Sequence, residues 1–257
     1  MVGKVRDGKF INKPTNFQSS TDRVAFNWDS FVGNFSNGQS RNVTKYNVTT
    51  VEEETGRIVL GPRIVTFSAS DGPVLVFDDH TDANLTHNMT YFTTINTPLC
   101  RSQVVSSSGF RVDTTPPQIG EIDVGSELWS VGENFTIRWK DVIDLESEIE
   151  EIEIWIIDAA TNSTFAESGC TTMMNANTTS SNGEVELTWS ECGTQYPGCT
   201  KLSTMMRVRN GAGLNTTRRS GREFQIAGVR ITNLANHDGT SHDGWSTFSE
   251  ICLHGWM

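Results

Sequence analysis

Two short stretches constrain this chain more than anything else in it. "VAFNWDSF" sets Val24, Phe26 and Trp28 on one face of an extended segment, and "NFTIRWKDV" does the same with Phe135, Ile137 and Trp139. An apolar residue at every second position, ending on a tryptophan, suits a strand that turns one face to a core and the other to water. A helix would scatter the same three residues around its axis. The two tryptophans stand 111 positions apart, and the segments on the C-terminal side of each are also alike. After a polar loop comes a second alternating run, "VTKYNVTTV" at 43–51 and "IEEIEIWIID" at 149–158, and each copy closes on a strand led by Ser-Gly, "SGFRVD" at 108–113 and "SGREFQI" at 220–226. The chain reads as one β-sandwich written twice.

Between the copies lies "GFRVDTTPPQIG", residues 109–120. Pro116 and Pro117 have no amide proton for a sheet ladder, and each restricts the residue before it. The double proline therefore ends the strand and holds the seam extended. The domains predicted on this basis are 8–114 and 115–226. Residues 227–257 match neither copy; they are expected to form a poorly packed tail or the truncated start of a third repeat.

The tryptophan strand, the Tyr-x-Val strand after it, "RVRNGAGL" at 207–214, the "VDTTPP" seam and "NFQSSTDRVAFNWDSF" at 16–31 together resemble fibronectin type III-like repeats of large extracellular animal proteins. "DLESEI" at 144–149 is similar to the Asp-x-Glu-Ser-Gly-Ile element of such repeats, with Glu148 where they usually carry glycine. The copies also depart from the pattern: the first has "NTPLC" in place of the Asn-Gly-Ala-Gly-Leu turn, and the second has Leu202 where a tyrosine is usual. The resemblance implies an all-β chain of two tandem immunoglobulin-like/fibronectin type III-like sandwiches. It also implies a non-enzymatic extracellular interaction or spacer module of a longer adhesion or matrix-like protein; the alternative is a ligand-binding ectodomain fragment of a cell-surface receptor. It leaves the protein or glycan ligand unnamed.

Charge narrows the partners further. The net charge is −11, with Lys and Arg balancing Asp and Glu at 11 each over residues 1–116, against 9 and 20 over residues 117–257. An acidic surface repels phosphates, which argues against nucleic acid and anionic lipid as partners. No run of ~18 apolar residues is present to span a bilayer, and "MVGKVRDGKF" lacks the apolar core of a secretory signal. Yet Asn-X-Ser/Thr sequons occur at Asn34, Asn42, Asn47, Asn84, Asn88, Asn134, Asn162, Asn177 and Asn215, nine of nineteen asparagines, where Ser and Thr content alone gives roughly four. The expectation is an extracellular or cell-surface glycoprotein whose leader belongs to a longer gene product.

Five cysteines, at 100, 170, 192, 199 and 252, show no paired C-x-x-C spacing and suit disulfides. Gly193, Pro197 and Gly198 favour a compact turn in "WSECGTQYPGCTKL", so Cys192–Cys199 is the expected bond; the rival joins Cys170 to either of them. Cys100, Cys170 and Cys252 have no assigned partner.

The motifs of nucleophilic, metal and phosphate chemistry are missing: no G-x-S-x-G, no H-E-x-x-H and no glycine-rich phosphate loop. No enzyme activity, cofactor or metal is therefore assigned. "FDDHTD", Phe77 to Asp82, reads as a solvated loop in preference to a Ca²⁺ site. The acidic run from Asp141 to Glu153 is largely the water side of a strand, with Glu151 and Glu153 opposite Ile152 and Ile154. Asp113, Asp144 and Glu146 could supply oxygens to a linker Ca²⁺, with solvated carboxylates the favoured reading. His237 and His242 read as incidental, and Arg218, Arg219 and Arg222 as a solvated strand edge.

Overall fold

The computed structural model describes residues 3–8, 15–34, 40–68, 74–80, 84–97, 104–130, 134–164, 174–176, 180–188 and 201–227. These are strands, turns and connections, and among them no helix is long and apolar enough to cross a membrane. Of the predicted tail, 227–257, Ala227 ends the last strand and the rest lies outside the described residues, as do all five cysteines with the expected Cys192–Cys199 bond. The chain divides into two compact units: Met1–Thr115 with Leu145–Ser147 and Gly211–Leu214, and Pro116–Asp144 with Glu148–Asn210 and Asn215–Met257.

In the first unit the strands are β1 (Val5–Asp7), β2 (Phe17–Gln18), β3 (Arg23–Asp29), β4 (Val32–Asn34), β5 (Ser40–Asn42), β6 (Lys45–Glu52), β7 (Ile58–Thr66), β8 (Val74–His80), β9 (Thr90–Asn96), β10 (Val104–Ser106) and β11 (Phe110–Val112). One sheet has the order β1-β3-β8 and the other β2-β11-β9-β6-β7, with β10 also on β9; β4 and β5 form a separate hairpin. The inward residues of both sheets share one core that includes Val24, Phe26, Trp28, Tyr46, Tyr91 and Phe110. The edge strand β1 begins at Val5, ahead of the residue 8 at which the sequence places the start of the domain.

The second unit repeats this plan with β12 (Glu121–Asp123), β13 (Leu128–Ser130), β14 (Asn134–Lys140), β15 (Ile149–Asp158), β16 (Met174–Ala176), β17 (Gly183–Thr188), β18 (Leu202–Asn210) and β19 (Asn215–Ala227). Its sheets are β12-β14-β17 and β13-β19-β18-β15-β16, strand for strand the order of the first unit. In both units a short strand runs parallel to the last one, β2 beside β11 and β13 beside β19, while the remaining ladders are antiparallel. A three-stranded sheet facing a sheet that carries the last strands is the immunoglobulin-like/fibronectin type III-like arrangement.

Register matches the copies residue by residue. Trp28 pairs with Val5 and Leu75, Trp139 with Ile122 and Gly183, and both indoles are buried as their alternation predicts. Tyr46 and Phe67 meet Trp28 edge-on at 5.3 and 5.2 Å. At Gly183 a β-carbon would stand 2.3 Å from Cζ2 of Trp139, so the indole fills the space that any larger residue would need.

The shared Ser-Gly marks a break in the last strand of each copy, not its start. In the second unit that strand begins at Asn215 and slips register, so that Ser203 pairs with Glu223 but Met205 with Arg219, and Ser220–Arg222 bulge out. In the first unit the strand is cut into β10 and β11, with Gly109 at φ +93°. A break strands an amide on the neighbouring strand, and buried amides need acceptors. The Thr93 N–H donates to Oγ of Ser107 (3.0 Å) and the Thr204 N–H to Oγ of Ser220 (3.2 Å). The two threonines are equivalent, each standing two residues after the residue paired with Phe110 or Phe224.

The stretch Phe77–Asp82 also differs from its loop reading, because Phe77–His80 end β8. Leu75 and Phe77 turn into the core while Asp78 faces out and takes both Nε and Nη2 of Arg23 (2.6 and 2.5 Å). Residues 81–82 lie outside the described residues.

Replacing Trp28 or Trp139 by Ala is expected to cost about 3–5 kcal/mol of unfolding free energy in urea titrations. Ser107→Ala or Ser220→Ala, which leaves a buried amide without its acceptor, is expected to cost about 1–3 kcal/mol. Ser→Ala values near zero at both sites would mean that the breaks do not depend on those hydroxyls.

Candidate functional site

Among the described residues the buried carboxylates are those of Asp113, Glu52 and Asp7. Asp113, first residue of the Asp-Thr-Thr-Pro-Pro seam, is fully buried. Its Oδ1 accepts from the backbone N–H and the hydroxyl of Thr115 (both 2.8 Å), and its Oδ2 from the hydroxyl of Ser147 (2.6 Å). The bond to the amide two residues on is an Asx turn, and it accounts for why an aspartate stands at the end of β11. Nearby, the Thr114 N–H donates to Nδ1 of His87 (3.1 Å), and Arg111 Nη1 donates to the carbonyl of Glu146 (3.3 Å). Asp113 and Glu146 each bring a carboxylate oxygen within 4.8 Å of the other. Asp144 belongs to the second unit, where it accepts from Nδ2 of Asn210 (2.9 Å).

Glu52 is occupied in the same manner. Thr55 Oγ1 (2.5 Å) and Arg57 Nη2 (2.8 Å) donate to it, and these bonds hold its carboxyl below the usual range. Tyr91 OH donates to Glu52 (3.2 Å) while accepting from the Thr86 N–H (2.8 Å). A tyrosine near the start of this strand, bonded back to upstream backbone, is the tyrosine corner of such sandwiches. The matching residue of the second unit is Leu202, which has no hydroxyl to close it.

Asp7 is different. The Gly109 N–H donates to its Oδ2 (2.8 Å), and Ser107 adds a side-chain bond, so the aspartate backs the same break in the last strand. Its Oδ1 is buried with no hydrogen-bond partner among the described residues. Burial pushes the carboxyl above its ordinary range, and the bonds from Ser107 and Gly109 only partly oppose that. The matching residue of the second unit is the buried Val124, and there Ser220 passes its proton to the carbonyl of Arg222 (2.8 Å). Sequence reading missed Asp7; only the register shows that an aspartate in a three-residue edge strand faces inward.

The charged runs are mostly cross-strand pairs. Glu151 sits opposite Arg209 (2.9 Å) and Glu153 opposite Arg207, with Ile152 and Ile154 buried behind them as alternation predicts. The arginines read as a solvated edge are partly engaged. Arg218 donates to the carbonyl of Ile119, and Arg219 to Ser203 Oγ and to Glu223 (both 2.9 Å). Arg222 is exposed.

Six sequon asparagines are exposed: Asn42, Asn84, Asn88, Asn134, Asn162 and Asn215. Asn84, Asn88 and Asn162 adopt positive φ, which asparagine tolerates in turns. Asn47 is half-buried; the side chain of Asn34 and the whole of Asn177 lie outside the described residues. Asn47 stands in a straight row across four strands: Ile64 of β7 pairs with Asn47 of β6, Asn47 with Asn96 of β9, and Asn96 with Val104 of β10.

No protein-family model matches the chain, and no curated protein does. Among solved structures it is similar to the FN1–FN3 domains of chicken CNTN1, at 13% identity and a TM-score of 0.37, over 80% of this chain and 65% of that one. It is also similar to a marsupial T cell receptor, at 10% identity and a TM-score of 0.42, over 88% of this chain and 73% of that one. The chain thus spans about two thirds of the length of the first of these. Likeness at that level carries no functional information, and the strand pairing itself is what makes both units sandwiches.

The sign of the Asp7 effect is set by its raised value. The folded state holds the proton more tightly than the unfolded chain, so the stabilising contribution is complete below about pH 4 and is lost as the pH rises through the folded-state value. Asp7→Asn is expected to raise stability at neutral pH and to flatten the profile above about pH 4, read as urea midpoints. A midpoint lowered at neutral pH would show that the ionised form is the favoured one.

Proposed function

We propose that this chain is a non-enzymatic extracellular interaction or spacer module of the adhesion or matrix kind, built from two immunoglobulin-like/fibronectin type III-like repeats, the first opening on β1 at Val5 and the second closing on β19 at Ala227. Its partner is a protein or a glycan. One observation carries the reading: six of the seven sequon asparagines whose side chains are described stand exposed on strands and turns of the two sandwiches. A glycosylating compartment would find acceptors over much of such a surface. The buried carboxylates of Asp113 and Glu52 support the non-enzymatic part, since the protein's own hydroxyl, amide and guanidinium groups are bonded to their oxygens.

Secretion behind an added leader from an animal cell tests this, with glycopeptide mass spectrometry at each sequon. Occupancy at several of Asn42, Asn84, Asn88, Asn134, Asn162 and Asn215 is the expected result. Secreted protein with every sequon bare would refute it.

A further inference from the structure

Resting on that extracellular reading, we propose that Asn47 carries an N-linked glycan whose inner sugars lie on the outward face of the β10-β9-β6-β7 region and cover Ile64 and Val104. The row Ile64–Asn47–Asn96–Val104 has its apolar members at the ends, 65% and 61% exposed, and amides in the middle. The next row on the same face is Thr49, Thr94 and Ser106, small hydroxyl residues throughout. A protein partner wants the reverse, an apolar centre inside a polar rim. A pyranose has C–H faces for Ile64 and Val104, and hydroxyl and acetamido groups for the asparagines, threonines and serine.

The acceptor is also placed for attachment. Along a strand, residues two apart share a face, so Asn47 and the Thr49 of its sequon both point outward. Strands lie ~4.8 Å apart, which sets Ile64 one strand from Asn47 and Val104 two strands away on the other side, within the span of a branched glycan core. A glycan rooted next to the edge strand β7 would also hinder pairing along that edge.

The test uses the secreted chain, with site-by-site occupancy and the fluorescence of an apolar dye. Asn47 is expected to be occupied. Asn47→Gln, or enzymatic removal of glycans from the native protein, is expected to raise dye fluorescence several-fold, whereas Asn84→Gln leaves it unchanged. Adding Ile64→Ser and Val104→Ser to Asn47→Gln returns the signal to its starting level. Asn47 bare while Asn84 and Asn88 are occupied overturns the proposal and leaves the extracellular reading standing. So does an occupied Asn47 whose loss leaves the dye signal unchanged, or a glycosylated chain that dimerises through this face. Bare sequons throughout remove both readings together.

Discussion

A strand that leaves its ladder abandons the amides of its neighbour, and both sandwiches are organised around the repair of one such amide. The last strand of each unit breaks, and the orphaned N–H of Thr93 or Thr204 is taken by a serine hydroxyl from inside the break. What differs is where the serine sends its own proton. In the second unit it goes to a backbone carbonyl and the arrangement closes on itself. In the first it turns to the Asp7 carboxylate, which also takes the Gly109 N–H, so a titratable group is buried against the sheet that carries the break.

Much of the fold was legible because it rests on alternation. The tryptophan strands, the boundaries of β15 at Ile149 and Asp158, and the outward placing of Glu151 and Glu153 all derive from period two. The Ser-Gly pair was legible as a repeated feature but not as a break, since a bulge keeps the local composition of a strand and changes only its register. Phe77–His80 misled for a related reason: three polar residues in a row look like a loop until the neighbouring Arg23 supplies a partner for Asp78.

The candidate sites were less legible, because they depend on residues far apart in the chain. Asp113 is conspicuous beside two prolines, and its Asx turn with Thr115 is local, but its partner Ser147, 34 positions on, appears only once the chain has folded. Asn47 was visible as one sequon among nine; its place between Ile64 and Val104 needs the register of four strands. The same holds for Tyr91, whose hydroxyl accepts from the Thr86 N–H and donates to Glu52, 39 positions before it in the sequence.

The parallel pairs β2–β11 and β13–β19 have a mechanical consequence. In each unit an early strand lies beside the last one and runs in the same direction. Tension applied along the chain pulls two such strands past each other in opposite senses. Their hydrogen bonds then share the load in shear and must fail together, whereas an antiparallel hairpin pulled from its open end gives way one bond at a time. A chain built in this manner resists stretching through the geometry of these paired early and last strands, whatever its equilibrium stability.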